Sequence, residues 1–421
     1  MKSVYWVLWV LWVQVVPLVA LGQPRPALTA TQYQQDFRYF WETVRDNYAY
    51  FDKKQTDWEQ VRQAGEAALP AVKTRGQFVR LLENVLAELY DNHAALNTNL
   101  PDSRRLVPSG TDAWAQFSGR RAVVQAVRPG FGAAQAGLRP GMELLAVNDV
   151  PIEAATQALL GKHLKTVDAA AREVALNHAL AGDHRTPRKW TVRTQGRRQD
   201  IFPDQNGLGL ESDGNPKLLE ARHYGAIGYV KINNSLGNNR LISVFDSALT
   251  TLGHPAGLVL DLRDTPNGGN TTVARALMGR FITQEQPYQR HELPAEEASF
   301  GVKRSWVELV SPRPAPYTGP LVVLVGRWTA SMGEGITIGL DAMRRATVMG
   351  TEMAQLNGSI ASYQLPQSGI GFSIPTERLY RVDGLPREAY LPPVYVQPAT
   401  DTTDAPLQAA LAQLRKAAPK P

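Results

Sequence analysis

The chain has 421 residues, 43% of them hydrophobic and 20% charged, which excludes wholesale disorder and allows two or three packed domains. Cysteine is absent, so disulfide frameworks, thiolate metal sites, cysteine nucleophiles and lipid attachment through cysteine are excluded. The 45 Lys plus Arg against 39 Asp plus Glu give a net charge of +6, spread without long like-charged runs, so there is no footprint for a nucleic-acid partner.

Residues 1–22 read as an address. Lys2 precedes an apolar run at 4–13, Gln14 interrupts it, and 15–21 resumes it. Ala20 and Gly22 are the small residues a signal peptidase reads, so cleavage is expected after Gly22 and the protein is expected to be exported, periplasmic or secreted. The competing reading is an uncleaved N-terminal membrane anchor. It needs about 20 apolar residues and is weakened by Gln14 and Pro17. No later segment approaches spanning length, so no other membrane contact is expected.

Residues 28–100 predict a helical domain. Thr29 or Thr31 can cap a helix bearing Phe37, Phe40, Trp41 and Val44 at three- to four-residue spacing. Trp58, Val61 and Ala64 mark a second helix; Phe78, Leu81, Leu82, Val85, Leu86 and Leu89 mark a third. The domain runs out at Asp91-Asn92-His93.

Residues 114–200 alternate strand, short helix, glycine turn and strand. PGFGAAQAGLRPGM at 129–142 is the core of the pattern: Ala133 to Leu138 suit a one-turn helix, and Gly141 permits the turn into the next strand. This block resembles a PDZ domain of the kind bacterial proteases carry. Such domains accept a peptide C-terminus by strand addition. A plain β spacer is the alternative.

Residues 221–398 alternate strands (226–232, 258–262, 321–325, 347–350) with helices (241–252, 270–281, 330–343), the pattern of an α/β domain with a largely parallel sheet. The tail at 399–421, rich in Ala, Pro and Lys, is expected on the surface with a short helix near 407–414.

Chemistry concentrates after two of these strands. DLRDTPNGGN at 261–270 runs a buried strand into a glycine pair and a helix, where backbone N–H groups can face a ligand. GRWTASMGEG at 326–335 ends another strand with Ser331 at a helix start, where unpaired amides favour an oxyanion. Taken singly, the first is an ordinary turn and Ser331 an ordinary cap.

Together with the PDZ-like block, the Gly-Gly loop and T-A-S-x-G-E resemble the C-terminal-processing (tail-specific) serine peptidases, from about residue 30 to 398. The resemblance implies a crotonase/ClpP-like α/β peptidase core with an N-terminal helical domain and an inserted PDZ-like β domain. It implies Ser331 as nucleophile, and an oxyanion hole from the amide of Met332 and one of Gly268 or Gly269. The sequence T-P-N-G-G stands where many relatives have N-P-G-G, so which glycine donates stays open.

One branch of the family uses a lysine base downstream of the serine. Here no lysine occurs between Lys303 and Lys416, and Glu334 fills the fourth position of an S-x-x-K dyad. A histidine base remains. The tricorn-like Ser/His/Glu branch takes it from an upstream L-x-D/S-x-H-like segment, which LYDNHA at 89–94 fits. The resemblance thus implies His93 as base and Glu388, 57 residues after Ser331, as acid, with Glu352 and Glu377 in reserve. Asn92 stands where the tricorn protease has a supporting serine, and Glu334 reads either as a structural acid or as a first-turn residue answering the helix dipole. No metal or cofactor is required.

The expected activity is hydrolysis of peptides or protein C-terminal tails through an acyl-enzyme, with peptides or unfolded proteins as partners. The degraded segment around Glu388 motivates an alternative, a catalytically inactive peptide-binding scaffold of the same fold. A crotonase-type acyl enzyme is a third reading, which leaves the PDZ-like block unexplained.

Overall fold

In the computed structural model, which describes residues 28–205, 217–398 and 403–417, two strands run through the middle of the C-terminal half with every residue buried. In Gly257–Asp261, Leu258 and Leu260 face one side and Val259 the other; in Leu321–Val325, Leu321, Val323 and Val325 oppose Val322 and Leu324. Strands apolar on both faces must be covered on both faces. The helices Leu241–Leu252, Thr271–Met278 and Met332–Ala342 cover one side and Ala405–Ala417 the other. The six-stranded sheet runs Val394–Tyr395, Thr347–Gly350, Leu321–Val325, Gly257–Asp261, Ile227–Ile232, Leu219–Tyr224. All neighbours are parallel except the last pair.

The tail departs from its expected surface position. The helix is present and longer, and Leu407, Ala410, Leu411 and Leu414 are buried against Ile227, Val259 and Val322. Its alanine-rich composition hid an apolar stripe at helical spacing. Arg263 locks it down, binding Asp261 at 2.6 Å and Asp404 at 2.7 Å.

The three expected N-terminal helices form, as Ala30–Asn47, Trp58–Ala68 and Arg75–Ala87, and Thr29 and Thr74 close capping boxes with Gln32 and Gln77. Their core is not their own. Phe37, Phe40, Phe78 and Leu82 pack with Leu365, Ile370, Phe372 and Ile374 from the far end of the chain. Those residues belong to a second sheet unforeseen in the sequence, in which Gly371–Tyr380 pairs with Ser359–Gln364, Ala95–Leu96 and Gln286–Glu292. Asp36, fully buried, accepts from the backbone N–H groups of Gln367 and Ser368 at 2.8 and 2.7 Å. The chain leaving these helices, at 89–96, is thereby carried to the C-terminal half.

The central β module is a third sheet, Ala113–Ser118, Arg121–Val127, Glu143–Val147, Trp190–Thr194, Arg197–Ile201, with Val150–Pro151 off its side. Ala113–Ser118 is an edge strand, and the helix Ala169–Ala181 lies along it. The Asn177 side chain donates to the carbonyl of Ala115 and accepts from its N–H, both at 3.0 Å, as an added strand would. Polar contacts among those that tie this module to the α/β core come from Arg128 and Trp328. Arg128 binds Asp264 at 2.6 Å, and the indole N–H of Trp328 donates to the carbonyl of Thr111 at 2.8 Å.

The expected signal segment at 1–22 lies outside the described residues. No described helix is long and apolar enough to cross a membrane.

Candidate active site

Parallel pairing of Gly257–Asp261 with Leu321–Val325 sends the loops that follow, 262–270 and 326–331, off the same carboxyl edge of the sheet. The loops are stapled together. Thr265 N–H donates to the carbonyl of Trp328 at 3.0 Å, and the Thr265 and Thr329 hydroxyls each donate to the carbonyl of Leu262 at 2.9 Å. This brings the glycine pair to the serine. A Cβ built on Gly268 would lie 2.6 Å from Ser331 Cβ and 3.0 Å from its Oγ, and Gly268 has φ +60°, so only glycine fits.

Ser331 sits on a strained turn, with φ +51° and ψ −108°, immediately before the helix Met332–Ala342. For a residue bearing a Cβ this costs about 1–3 kcal/mol and needs support from its surroundings. Glu334 supplies it: Oε2 accepts from the Ser331 N–H at 2.7 Å and from the Leu356 N–H at 3.3 Å. Glu334 is fully buried; burial pushes its carboxyl up to about 7, against the pull of Arg387 and these donors. Among the described residues the Met332 amide makes no hydrogen bond, as expected of a first-turn donor. The same holds for the Gly269 amide, whereas Gly268 N–H is taken by the carbonyl of Thr265 at 3.1 Å. Of the two glycines left open by the sequence, Gly269 is the one with a donor to offer.

His93 reaches the same assembly from the other end of the chain. Its Nδ1 lies 2.6 Å from the carbonyl of Asn357, next to Leu356. Arg387, also buried, donates to the carbonyls of Leu356 and Gly358 at 3.1 and 2.6 Å and lies 4.0 Å from Glu334. Ser331, Glu334, 356–358, Arg387 and His93 thus form one polar unit, in which Glu334 and Arg387 are buried and Ser331 and His93 half-buried. Burial, with the Arg387 charge added, pushes the imidazole down to about 4, so it is neutral at physiological pH.

The carboxylates named from the sequence each hold another partner, although Oε2 of Glu388 is buried without one among the described residues. Glu388 binds Lys53 at 2.6 Å, Glu377 binds His291 Nδ1 at 2.8 Å, and Glu352 accepts from Tyr395 at 2.7 Å. The acceptor on His93 Nδ1 is a backbone carbonyl, which leaves no side-chain signature in a sequence. Asn92 Oδ1 is buried and has no partner among the described residues. Sequence reasoning also missed Arg387, although it neighbours Glu388.

A cleft of about 810 Å³ opens beside Gly268 between the core and the β module, lined by Asn234, Asn238 and Asn267 on one side and Arg128 and Phe131 on the other.

Glu334 yields a direct test. Glu334→Ala leaves two buried N–H groups without acceptors and is expected to cost about 1–3 kcal/mol for each in denaturant unfolding, whereas Glu334→Gln keeps a carbonyl oxygen and loses less. Between the usual carboxyl range and about pH 7 the folded chain holds a proton that the unfolded chain has released. The contribution of Glu334 therefore falls as pH rises through that window, and Glu334→Gln is expected to flatten this slope.

Residues 226–393 match Peptidase family S41, and residues 29–87 match the tricorn protease C1 domain. A search of curated proteins gives no match. Among solved structures, mature CPAF superposes with a TM-score of 0.58 at 15% identity, covering 92% of this chain and 96% of that one. The photosystem II D1 C-terminal processing protease gives 0.54 at 20% identity, covering 89% and 96%. A putative peptidase from Parabacteroides merdae gives 0.53 at 15% identity, covering 91% and 96%. At these identities the superpositions speak for the fold, a mixed helix and sheet architecture shared nearly end to end. The chain carries a peptidase family S41 domain over residues 226–393 and is a serine-type peptidase.

Proposed function

We propose that the protein is an exported endopeptidase that cleaves peptides or protein C-terminal tails through an acyl-enzyme on Ser331, with His93 as its base. The observation that carries this reading is the polar unit joining the strained Ser331 turn to a neutral imidazole. A carbonyl cannot donate, so the proton of His93 is on Nδ1 and the lone pair on Nε2.

In this reading His93 Nε2 takes the Ser331 proton as Oγ attacks the substrate carbonyl. The amides of Met332 and Gly269 hold the oxyanion, each worth about 3 kcal/mol of barrier. The imidazolium then returns its proton to the leaving amine. Water, deprotonated by the same nitrogen, attacks the acyl carbon, and the imidazolium returns that proton to Ser331 Oγ as the acyl–oxygen bond breaks. The Asn357 carbonyl is the acceptor on Nδ1, and Glu388 keeps Lys53 nearby. Substrate enters along the cleft beside Gly268, and the β module, read as PDZ-type, forms its far wall.

The reading is tested with a serine-directed fluorophosphonate and an unfolded protein substrate. Labelling mapped to Ser331 and time-dependent fragments are expected. A chain that neither labels nor cleaves would remove the mechanism. Export rests on the character of residues 1–22, and N-terminal sequencing of protein recovered from outside the cytoplasm is expected to begin at Gln23. Recovery of the intact N-terminus there would replace cleavage with anchoring.

A further inference from the structure

We propose that Asp91 is a positioning residue that fixes the tautomer of His93 through the backbone carbonyl of Asn357; this rests on His93 being the base for Ser331. Asp91 is only 9% exposed, and its carboxylate gathers three donors. Oδ1 accepts from the backbone N–H of His93 at 2.9 Å. Oδ2 accepts from the Tyr48 hydroxyl at 2.5 Å and from the side-chain amide of Asn357 at 2.8 Å.

Asn357 is therefore gripped at two points, by its side chain on Asp91 and by its carbonyl on the imidazole. The links close a ring: His93 backbone, Asp91 carboxylate, Asn357 amide, Asn357 carbonyl, His93 Nδ1. Arg387 brackets it by holding the carbonyls on either side, of Leu356 and Gly358, the second of which also faces the imidazole.

The ring decides a chemical question. With the Asn357 carbonyl held 2.6 Å from Nδ1, a neutral imidazole protonated on Nε2 would set two lone pairs against each other. Only the Nδ1–H form is accommodated, and only that form leaves Nε2 free to accept a proton. Asp91 touches neither substrate nor the reacting atoms. It acts by keeping the carbonyl where the imidazole needs it, while its charge is satisfied by three donors.

The test is nitrogen NMR on the full chain labelled at histidine, read beside steady-state kinetics. In the wild type His93 is expected as the Nδ1–H form alone. In Asp91→Ala the Nε2–H form is expected to appear, and kcat to fall about 100-fold with KM little changed, as displacement of a positioned group does. Asn357→Ala keeps the carbonyl and loses the anchor, so a smaller change in the same direction is expected. The double variant is expected to be no worse than Asp91→Ala, because the two act in series.

Wild-type kcat in Asp91→Ala would overturn the proposal. So would a reduced kcat with His93 still wholly Nδ1–H. Should Asp91→Ala fail to fold, Asn357→Ala decides, since a wild-type spectrum and rate there would equally overturn it. Failure of the hydrolytic reading is distinguishable: the wild type would then escape fluorophosphonate labelling, whatever the tautomer.

Discussion

Ser331→Ala is expected to lower kcat by about a millionfold, the scale seen when a serine nucleophile is removed, while leaving fold and substrate binding in place. The substitution deletes one oxygen from a residue whose backbone is held by other groups. The Ser331 N–H still reaches Glu334, and the Thr265 and Thr329 staples do not involve the hydroxyl. Melting temperature is therefore expected to stay near that of the wild type, and fluorophosphonate labelling to vanish. Residual hydrolysis above background would reflect the oxyanion donors alone. Wild-type turnover in this variant would move the nucleophile elsewhere.

His93→Ala is expected to cost at least about 10,000-fold in kcat. The pH profile adds a second readout. The imidazole acts only when neutral, and its proton leaves at about pH 4, so kcat/KM of the wild type is expected to fall below that pH and stay level through neutrality. An acid limb near the ordinary histidine value would mean that the base is less buried than the fold makes it, or is another group. The same burial acts on stability. As pH falls from the ordinary histidine range towards about 4, the unfolded chain takes up a proton that the folded chain refuses, so this group lowers stability on the acid side. His93→Ala is expected to remove that loss along with the activity, which separates the two consequences of one half-buried ring.

Much of this was legible in the sequence, where side chains carry the information. The helical spacing of Phe37, Phe40 and Phe78 and the twin apolar strands announce themselves by residue type and period, whereas the two loops with Gly268, Gly269 and Ser331 stand out only through the family resemblance. The contacts that finish the site do neither. The acceptor on His93 is the carbonyl of Asn357, a group every residue possesses, whereas a sequence points to an acid only through a side chain such as Glu388, whose Oε1 faces Lys53. The partner sheet escaped because Gln286–Glu292 and Ser359–Gln364 are polar along much of their length and are recognised as strands only through their pairing with Gly371–Tyr380. The choice between Gly268 and Gly269 turned on a single turn hydrogen bond to Thr265.

The β module grips both loops of the candidate site, one through Arg128 on Asp264 and the other through Trp328, whose ring is buried with Val107, Trp114, Ala126 and Ala181 only three residues before Ser331. The α/β core therefore shares its two loops' packing with the β module. Excising the insert would unplug an indole from its socket and strip Asp264 of its guanidinium partner, so the loops bearing Gly268 and Ser331 owe part of their stiffness to a neighbouring module. Trp114, in that socket, also belongs to the strand whose outer edge Asn177 occupies, so a guest strand displacing Asn177 would be felt one residue away from the wall that seats Trp328.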